Sequence, residues 1–390
     1  MNYLATPLVT VAGVPNAPPS DASEAHPLYA AQQLERVMVC EQTATATAPL
    51  AAVAAGLAKL SVDSPQWDPQ LLKRDRLHFR FSNFVDLPVQ TAKPSVLSPK
   101  HPQCEHAIFS PYWVEKYHSV QPCVTIAVFD APDAGSPAEE DLAASLNGLV
   151  DELGQSGGTL LMAVISGPPE KLAHTVPFLR RETDLSQPSR LLALPNTLSD
   201  EETAQFINQL FYATTQTADA FFRAKFDALR RKRENVAPPL DLMVWDARYT
   251  LKLAFCAEFR GDVNSAMRLY ESAYDSLALL FEKGAITPET PAYANARECL
   301  DLIALKMFHH SLPLKLAYRK LMQHIDTVVH ILQQYDQDPS AAAALRWRGE
   351  QYAVFAQLCT TYKQIENESQ PAGTPTGLVW LDAAELYARA

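Results

Sequence analysis

The chain has 390 residues, of which 47% are hydrophobic and 20% are charged. A chain of this length and composition buries a large core and has room for two ordinary domains. Its net charge of −11 at pH 7 argues against nucleic acid as the main partner, because phosphate binding requires a basic face.

The cysteines and the apolar segments indicate the compartment. None of the six cysteines forms a C-x-x-C pair, and we expect buried free thiols in a reducing environment. The N-terminal stretch, MNYLATPLVTVAGVP, lacks the positive start and the long apolar core of a signal peptide. No run of about 18 apolar residues occurs, so we expect no transmembrane helix. The sequence therefore predicts a cytoplasmic protein whose membrane contacts are peripheral.

The first half of the chain alternates strand-like and helix-like segments. An opening strand over Leu8–Val14 is followed by a segment over Leu77–Phe81 that alternates apolar and polar residues, as an edge strand does. Three continuous apolar runs follow, which are typical of strands covered on both faces: Val124–Phe129, Leu160–Ile165 and Leu191–Leu194. Helical segments separate these runs. The order predicts a doubly wound α/β domain with a mostly parallel sheet over residues 1–198.

The character of the sequence changes at Ser199. Ser199 and Glu202 form an S-x-x-E capping box, which opens a long helix that we expect to run to Arg233. Beyond it the sequence shows amphipathic helical segments with short connections and no strand pattern. Helix pairs recur at a spacing of a little over about 40 residues. Residues 199–390 are therefore predicted to be all-α, either an α-solenoid of helical hairpins or a compact helical domain.

One helical hairpin in this region has the clearest pattern. Its second helix carries apolar residues at steps of three and four from Ala266 to Phe281, which places one apolar stripe on one face. Gly261 suits the left-handed end of the first helix, and Asp262 suits the cap of the second. The first helix carries two apolar rows, one of Trp245, Tyr249 and Leu253 and one of Leu251, Phe255 and Phe259. Two rows indicate that this helix packs between neighbours. We interpret its aromatic residues as core residues.

The glycines do not form a phosphate-binding motif. A P-loop requires G-x-x-x-x-G-K-[ST] after a strand, whereas the first strand is followed by Gly13–Pro19, where prolines remove N–H donors and no Lys-Ser/Thr pair follows. G-x-G-x-x-G is absent, and the GQSGG run of residues 154–158 precedes a strand. We therefore expect no cofactor. A degenerate, catalytically silent GTPase-like or flavodoxin-like domain is compatible with this pattern.

No catalytic or metal-binding motif is predicted either. The sequence contains neither G-x-S-x-G nor H-E-x-x-H. His309 and His310 are neighbours on a helix, so their side chains point about 100° apart, and we interpret them as one surface and one core residue. A second group lacks a zinc spacing and is interpreted as surface histidines near a buried thiol: His101, Cys104, His106 and Cys123. The sequence predicts no catalytic, cofactor or metal site, and a protein that is not an enzyme.

The long helix ends with a basic run of four residues: Arg230, Arg231, Lys232 and Arg233. One interpretation is a patch for anionic lipid or an acidic partner. The other is that cations at a helix C-terminus offset the helix dipole and solvate the helix end. Both interpretations stay open at the level of sequence.

The hairpin region also carries a distinctive order of residues. A basic run and a Pro-Pro break precede W-x-x-R-Y-x-x-K-x-x-F, and E-F-R-x-D-x-x-x-A-x-x-x-Y-x-x-A-Y-x-x-L follows. Nine positions, named the signature residues from here on, are Trp245, Arg248, Tyr249, Lys252, Glu258, Arg260, Asp262, Tyr270 and Tyr274. This order resembles the foie gras domain family, found in the N-terminal part of the eleventh subunit of the transport protein particle (TRAPP) complex. The resemblance is closest over residues 200–335 and reaches back to Lys116, His118, Pro122 and Asp130.

The resemblance implies a fold and a function. It favours the α-solenoid over a compact helical domain, and it suggests that the chain is the N-terminal part of something longer. It implies a non-catalytic scaffold subunit of a TRAPP-type vesicle-tethering complex in ER–Golgi transport and autophagy. The partners would be the other TRAPP subunits and, indirectly, a Rab GTPase, since nucleotide exchange belongs to the small core subunits. The chain would associate peripherally with Golgi and ER–Golgi intermediate membranes. A nucleotide-binding switch and a peripheral membrane-binding adaptor are the alternative functions.

Overall fold

The computed structural model describes residues 8–12, 48–60, 78–82, 108–109, 112–117, 121–155, 158–185, 187–234, 242–311, 317–335 and 341–366. Five strands and ten helices lie within these ranges. Several residues on which the sequence analysis drew lie outside them: the Gly13–Pro19 segment, His101, Cys104, His106 and His118.

The five described strands form one parallel sheet in the order β2-β1-β3-β4-β5. In the centre of the sheet, Val124 pairs with Val9 on one side and with Leu160 on the other. Residues 124–129 are all buried, because helices cover both faces of the sheet. The predicted parallel sheet and the predicted edge strand are confirmed. The strands are β1 (Leu8–Ala12), β2 (His78–Ser82), β3 (Val124–Asp130), β4 (Leu160–Gly167) and β5 (Leu191–Pro195).

Helices pack on both faces of the sheet, because alternate strand residues point to opposite sides. Ile126 and Val164 face α1 (Ala48–Leu60) and the first half of α5 (Asp200–Glu234). Phe129 and Ile165 face α3 (Pro137–Gln155) and α4 (Pro169–Glu182). A short helix, α2 (Tyr112–Glu115), precedes β3. The mixed architecture of an α/β region followed by helices is thus confirmed.

Helix α5 contacts both halves of the structure. The Ser199 amide donates to Glu202 Oε2 at 2.8 Å, and the Glu202 amide donates to Ser199 Oγ at 3.3 Å, so the predicted capping box is confirmed. The first half of the helix packs on the sheet through Phe206 and Leu210, while the second half contacts the helix that follows it. The same helix therefore covers one sheet face and begins the helical half.

Within the described residues five helices follow α5, and each packs against the next. They are α6 (Leu242–Phe259), α7 (Val263–Glu282), α8 (Tyr293–Ser311), α9 (Ala317–Gln334) and α10 (Ala342–Glu366). Contacts also join α7 to α9 and α8 to α10. Residues 253–259 are all buried, which confirms that α6 lies between neighbours. One continuous apolar core runs from Leu50 on α1 to Phe355 on α10.

Two features bear on the predicted compartment. The three cysteines whose side chains are described, Cys123, Cys256 and Cys299, are buried free thiols, as the sequence predicts. Burial raises the pKa of Cys256 and of Cys299 to about 12. None of the helices within the described ranges has both the length and the apolar character needed to cross a membrane.

Candidate functional site

The turn between α6 and α7 sets the geometry of the signature residues. Gly261 has φ +74°, a left-handed conformation that glycine adopts without strain. Asp262 caps α7, because its Oδ1 accepts a hydrogen bond from the Ser265 amide at 3.0 Å. Burial alone would raise the pKa of Asp262, but the bonds from Ser265 and the nearby Arg260 lower it overall. Both predictions for this turn are confirmed.

Glu258 lies at the centre of a buried charged cluster between α6, α7 and α8. Lys306 Nζ lies 2.9 Å from Glu258 Oε1, and the Tyr270 hydroxyl donates to Oε2. His310 Nε2 lies 3.7 Å from Oε1. Burial opposes ionisation of Glu258, yet Lys306, His310 and the Tyr270 hydroxyl together hold its pKa well below the usual range. The cluster therefore places an ion pair in the core and links three helices.

The same cluster has the composition of a metal site. The ligand atoms of Glu258, His309 and His310 all lie within 4.8 Å of one another, and a carboxylate with two imidazoles suits zinc. However, the ammonium of Lys306 already contacts this carboxylate. A metal ion would sit beside that ammonium at low dielectric, where like charges repel strongly. The geometry favours the ion pair over a metal centre.

The interpretation of His309 and His310 as one surface and one core residue is wrong. Their side chains are 1% and 3% exposed, and their ring centroids lie 4.8 Å apart. Every residue from Ile303 to Ser311 is buried, because α8 is enclosed on all sides at this level. Adjacent helical residues still point in different directions, but here both directions lead into the core.

Two contacts fasten the hairpin and α8 to the α/β region. Arg248 Nε donates to the Ile108 carbonyl at 2.7 Å, and the residue is 9% exposed. Asn295 Oδ1 accepts from the amides of Ile108 and Phe109 at 2.8 and 3.1 Å, while its Nδ2 donates to the Phe109 carbonyl at 2.9 Å. These bonds satisfy the backbone of a segment just before α2. Residues 108 and 109 are thereby attached to α6 and α8.

Further polar contacts connect α5 to α6 and α7 to α10. Arg260 Nε lies 2.8 Å from Asp219 Oδ1 on α5. Tyr274 on α7 bonds to His324 on α9 at 2.9 Å, and the other ring nitrogen of His324 lies 3.1 Å from Asp301 on α8. Trp347 on α10 completes this chain, because its indole N–H donates to the second oxygen of Asp301 at 2.9 Å. These contacts join α5 to the end of α6, α9 to both α7 and α8, and α8 to α10.

The aromatic residues of α6 lie in two different environments. Phe255 and Phe259 are buried, in agreement with the core interpretation. Trp245 and Tyr249 are half-buried and stack on each other with ring centroids 5.6 Å apart. The Arg248 guanidinium lies 4.8 Å from the Trp245 ring centroid, a cation–π contact. This end of α6 is therefore an aromatic and cationic surface beside the core.

The predicted basic run is partly neutralised. Arg230 Nε lies 3.0 Å from Glu234 Oε1, and Arg233 Nε lies 2.6 Å from Asp246 Oδ1. Arg231 and Lys232 are exposed on the last turn of α5. Both earlier interpretations, an anionic partner and the offset of the helix dipole, therefore apply chiefly to these two residues.

A second concentration of positive charge lies where α2, α5 and α6 meet, and we name it the basic junction. Burial, together with Arg248 and Lys232, lowers the pKa of Lys252 to about 8. Burial, Lys116 and Lys232 lower the pKa of Lys225. The basic junction thus gathers five cations, each of which acts electrostatically on Lys225 or Lys252 or is one of these two, in a chain that is acidic as a whole: Lys116, Lys225, Lys232, Arg248 and Lys252.

Sequence reasoning did not single out Lys225. The only local signal was its spacing from Lys232, since residues seven apart share one helical face. Lys116 comes from a distant segment, and no sequence pattern links it to α5. Lys306 and Asn295 were missed for the same reason, as their partners lie 48 and 187 residues away.

The carboxyl edge of the sheet has the opposite charge. Doubly wound folds bind nucleotides at this edge. Its described part carries Asp130 at the end of β3, followed by Asp133 and Glu139. Lys171 Nζ lies 2.7 Å from Asp133 Oδ1, and His174 lies 3.0 Å from Glu139. Carboxylates repel phosphate, so this surface is unfavourable for a nucleotide.

No protein-family model matches the chain, and none of the curated proteins matches it.

Proposed function

We propose that the chain is a non-catalytic scaffold subunit of a TRAPP-type vesicle-tethering complex that acts in ER–Golgi transport and autophagy. In this proposal its partners are the other subunits of the complex, and it serves a Rab GTPase indirectly. It works at the cytoplasmic face of Golgi and ER–Golgi intermediate membranes. The observation that carries the proposal is the set of contacts made by the signature residues. Their side chains stack, cap, or form hydrogen bonds and ion pairs that hold the hairpin in place.

The arrangement of α5 to α10 supports a scaffold with an α-solenoid. Each of these helices packs on the next, and contacts to the next helix but one join α7 to α9 and α8 to α10. Nearest-neighbour packing of this kind is typical of solenoids, whose extended surfaces bind other proteins. The interhelical contacts of Glu258, Asp301 and His324 favour a fixed shape over a flexible one.

The sheet supports the accompanying proposal of a flavodoxin-like domain without nucleotide chemistry. The strand order β2-β1-β3-β4-β5 is the order of flavodoxin-like doubly wound sheets. The acidic carboxyl edge around Asp130 and Asp133 disfavours phosphate where such sheets normally bind it. A domain of this kind acts as a rigid platform for the helices.

Two exposed aromatic side chains provide probes for the docking face. Tyr318 on α9 is 41% exposed and Tyr212 on α5 is 62% exposed. Tyrosine is enriched in protein interfaces, where it contributes disproportionately to binding. Both residues are exposed, so we expect their substitution to change stability little, although the Tyr318 ring centroid lies 6.2 Å from that of the buried Phe355.

The test is purification of the tagged chain from its own cells, followed by mass spectrometry. The proposal expects stoichiometric recovery of TRAPP core subunits, and it fails if the chain is recovered alone at low salt. The matched variants Tyr318→Asp and Tyr212→Asp then locate the docking face. If the surface that carries α9 docks, Tyr318→Asp lowers the recovery of partners, and Tyr212→Asp, on the half of α5 that packs on the sheet, leaves it unchanged.

A further inference from the structure

A cavity of about 570 Å³ lies between α5 and the amino ends of β4 and β5. One wall is a single face of α5, from Gln216 to Ala228, and the other is formed by Gly158, Leu160 and the segment 187–190. Small-molecule sites typically measure about 300–1,000 Å³. The cavity therefore has the size of a ligand site, and it lies at the edge of the sheet opposite to the acidic carboxyl edge.

The charged side chains that line the cavity are both cationic. They are Lys225 on α5 and Arg190 just before β5, and no acidic residue is among the described residues that line it. Arg190 Nε donates to the Leu161 carbonyl at 3.0 Å, which fixes the guanidinium at the rim through one of its five N–H donors. The Lys225 ammonium lies close to the opposite wall. A Cβ atom added to Gly158, on that wall, would be 3.6 Å from Lys225 Nζ. Two positioned cations thus reach the same space.

The floor of the cavity is apolar and open. Ala220, Ala224 and Ala228 occupy successive turns of α5 on its cavity face, and their small side chains leave the space between helix and sheet. Phe221 lies beside them, with the Lys225 ammonium 5.1 Å from its ring centroid. An apolar floor below a cationic rim suits a ligand that combines an apolar or ring-shaped body with an anionic group.

Further cations act on Lys225. Lys116 and Lys232 of the basic junction act on Lys225 with the same sign and, after burial, lower its pKa. Burial lowers the pKa of Arg190, and the nearby carboxylate of Asp184 acts in the opposite direction. A dianion bound in the cavity would relieve the repulsion among these lysines. Phosphate groups form strong charge-assisted hydrogen bonds with Lys and Arg side chains.

We propose that this cavity is a binding site for a small phosphate-bearing ligand whose phosphate is held by Lys225 and Arg190. The ligand is either a soluble phosphorylated compound or the phosphorylated headgroup of a membrane lipid. Both sources present the same chemistry to the two cations. The inference rests on the cavity and is independent of the proposed scaffold function.

Calorimetric titration of the full chain tests the proposal with two soluble probes, pyrophosphate and inositol 1,4-bisphosphate. Flotation with phosphatidylcholine vesicles, with and without phosphatidylinositol 4-phosphate, tests the lipid source. Lys225→Gln removes a cavity cation, and Ala224→Leu fills the cavity without a change of charge. Arg231→Gln removes an exposed cation of the same helix outside the cavity and serves as the matched control. Circular dichroism checks that each variant is folded.

We expect at least one soluble probe to bind, and both cavity variants to weaken it by about tenfold or more, whereas Arg231→Gln has no such effect. Flotation that depends on the phosphorylated lipid and is lost in both cavity variants assigns the ligand to a headgroup. Binding of soluble probes without flotation assigns it to a soluble compound. The proposal is overturned if no probe binds, if Ala224→Leu binds as well as the unmodified chain, or if Arg231→Gln weakens binding as much as Lys225→Gln.

Discussion

Replacing Glu258 by Gln tests how the helical half is held together. The substitution keeps the shape of the side chain and removes its charge, so the Tyr270 hydroxyl still finds an oxygen acceptor. The ammonium of Lys306, 2% exposed, then loses its counter-ion in the core. Breaking a buried ion pair by removing one partner costs about 3–5 kcal/mol, because an uncompensated charge stays buried. We expect Glu258→Gln to lower the free energy of unfolding by that amount.

A double variant separates the charge effect from the loss of packing. In Glu258→Gln/Lys306→Met both charges are absent, and the Met side chain fills the space of the lysine stem. Replacement of a whole buried ion pair by neutral groups is often close to neutral in stability. We therefore expect the double variant to regain more than about half of the stability that Glu258→Gln loses.

The assay is urea unfolding followed by tryptophan fluorescence, with the free energy of unfolding obtained by linear extrapolation. The reasoning is refuted if Glu258→Gln costs less than about 1 kcal/mol, the range of an exposed ion pair. It is equally refuted if the double variant is no more stable than Glu258→Gln, since the cost would then not come from the unpaired lysine.

The same residue predicts a pH dependence with a definite sign. The pKa of Glu258 is held well below its ordinary value of 4.5 in the folded chain, so on acidification the unfolded chain binds this proton first. Stability from Glu258 is therefore fully present above about pH 4.5 and is lost as the pH falls towards the folded-state pKa. Glu258→Gln removes this contribution. The free energy of unfolding of the variant therefore changes less between pH 5 and pH 3 than that of the unmodified chain, and the difference corresponds to the titration of about one carboxyl group.

Three further predictions concern Gly261 and the signature residues Arg248 and Lys252. Gly261→Ala forces a side chain into a left-handed conformation and costs about 1–2 kcal/mol in urea unfolding, while Gly148→Ala within α3 is stabilising by about 0.5–1 kcal/mol and serves as the control. Arg248→Gln loses the charge-assisted bond to the Ile108 carbonyl and lowers the free energy of unfolding by about 1.5–3 kcal/mol, and a smaller loss would contradict a structural role. Lys252 titrates at about pH 8 in NMR of the methylated lysines, and Arg248→Gln raises that pKa by removing a neighbouring positive charge. Because the folded-state pKa of Lys252 is lowered from 10.5 to about 8, the unfolded chain binds more protons between these values and stability rises with pH across that window. Titration of Lys252 with its ordinary pKa would refute both the lowered pKa and the rise of stability with pH.

Local sequence patterns predicted the local structure well. The S-x-x-E box at Ser199 begins α5, and the Gly261-Asp262 pair forms the turn between α6 and α7. The apolar run at residues 124–129 forms a strand buried on both faces. These features depend on backbone dihedral angles, capping bonds and side-chain periodicity within a few residues, and the sequence expresses such properties directly.

The burial of both His309 and His310 could not be predicted from helical periodicity. The helical period predicts that the side chains of adjacent residues point in different directions, but it does not predict what each side chain packs against. Both histidines are buried because α8 is surrounded by other elements at this level. Burial is a property of the assembled helices, so it depends on partners that are distant in sequence.

By itself, the sequence determined the strand and helix segments, the caps and the parallel character of the sheet, because these follow from short-range periodicity and backbone geometry. Only the tertiary structure decided which charges meet. It paired Lys306 with Glu258 across 48 residues, and it brought Lys116 to Lys225 and opened a cavity beside them. Such pairs arise when helices pack and water is excluded, since the energy of a charge depends on its whole three-dimensional surroundings.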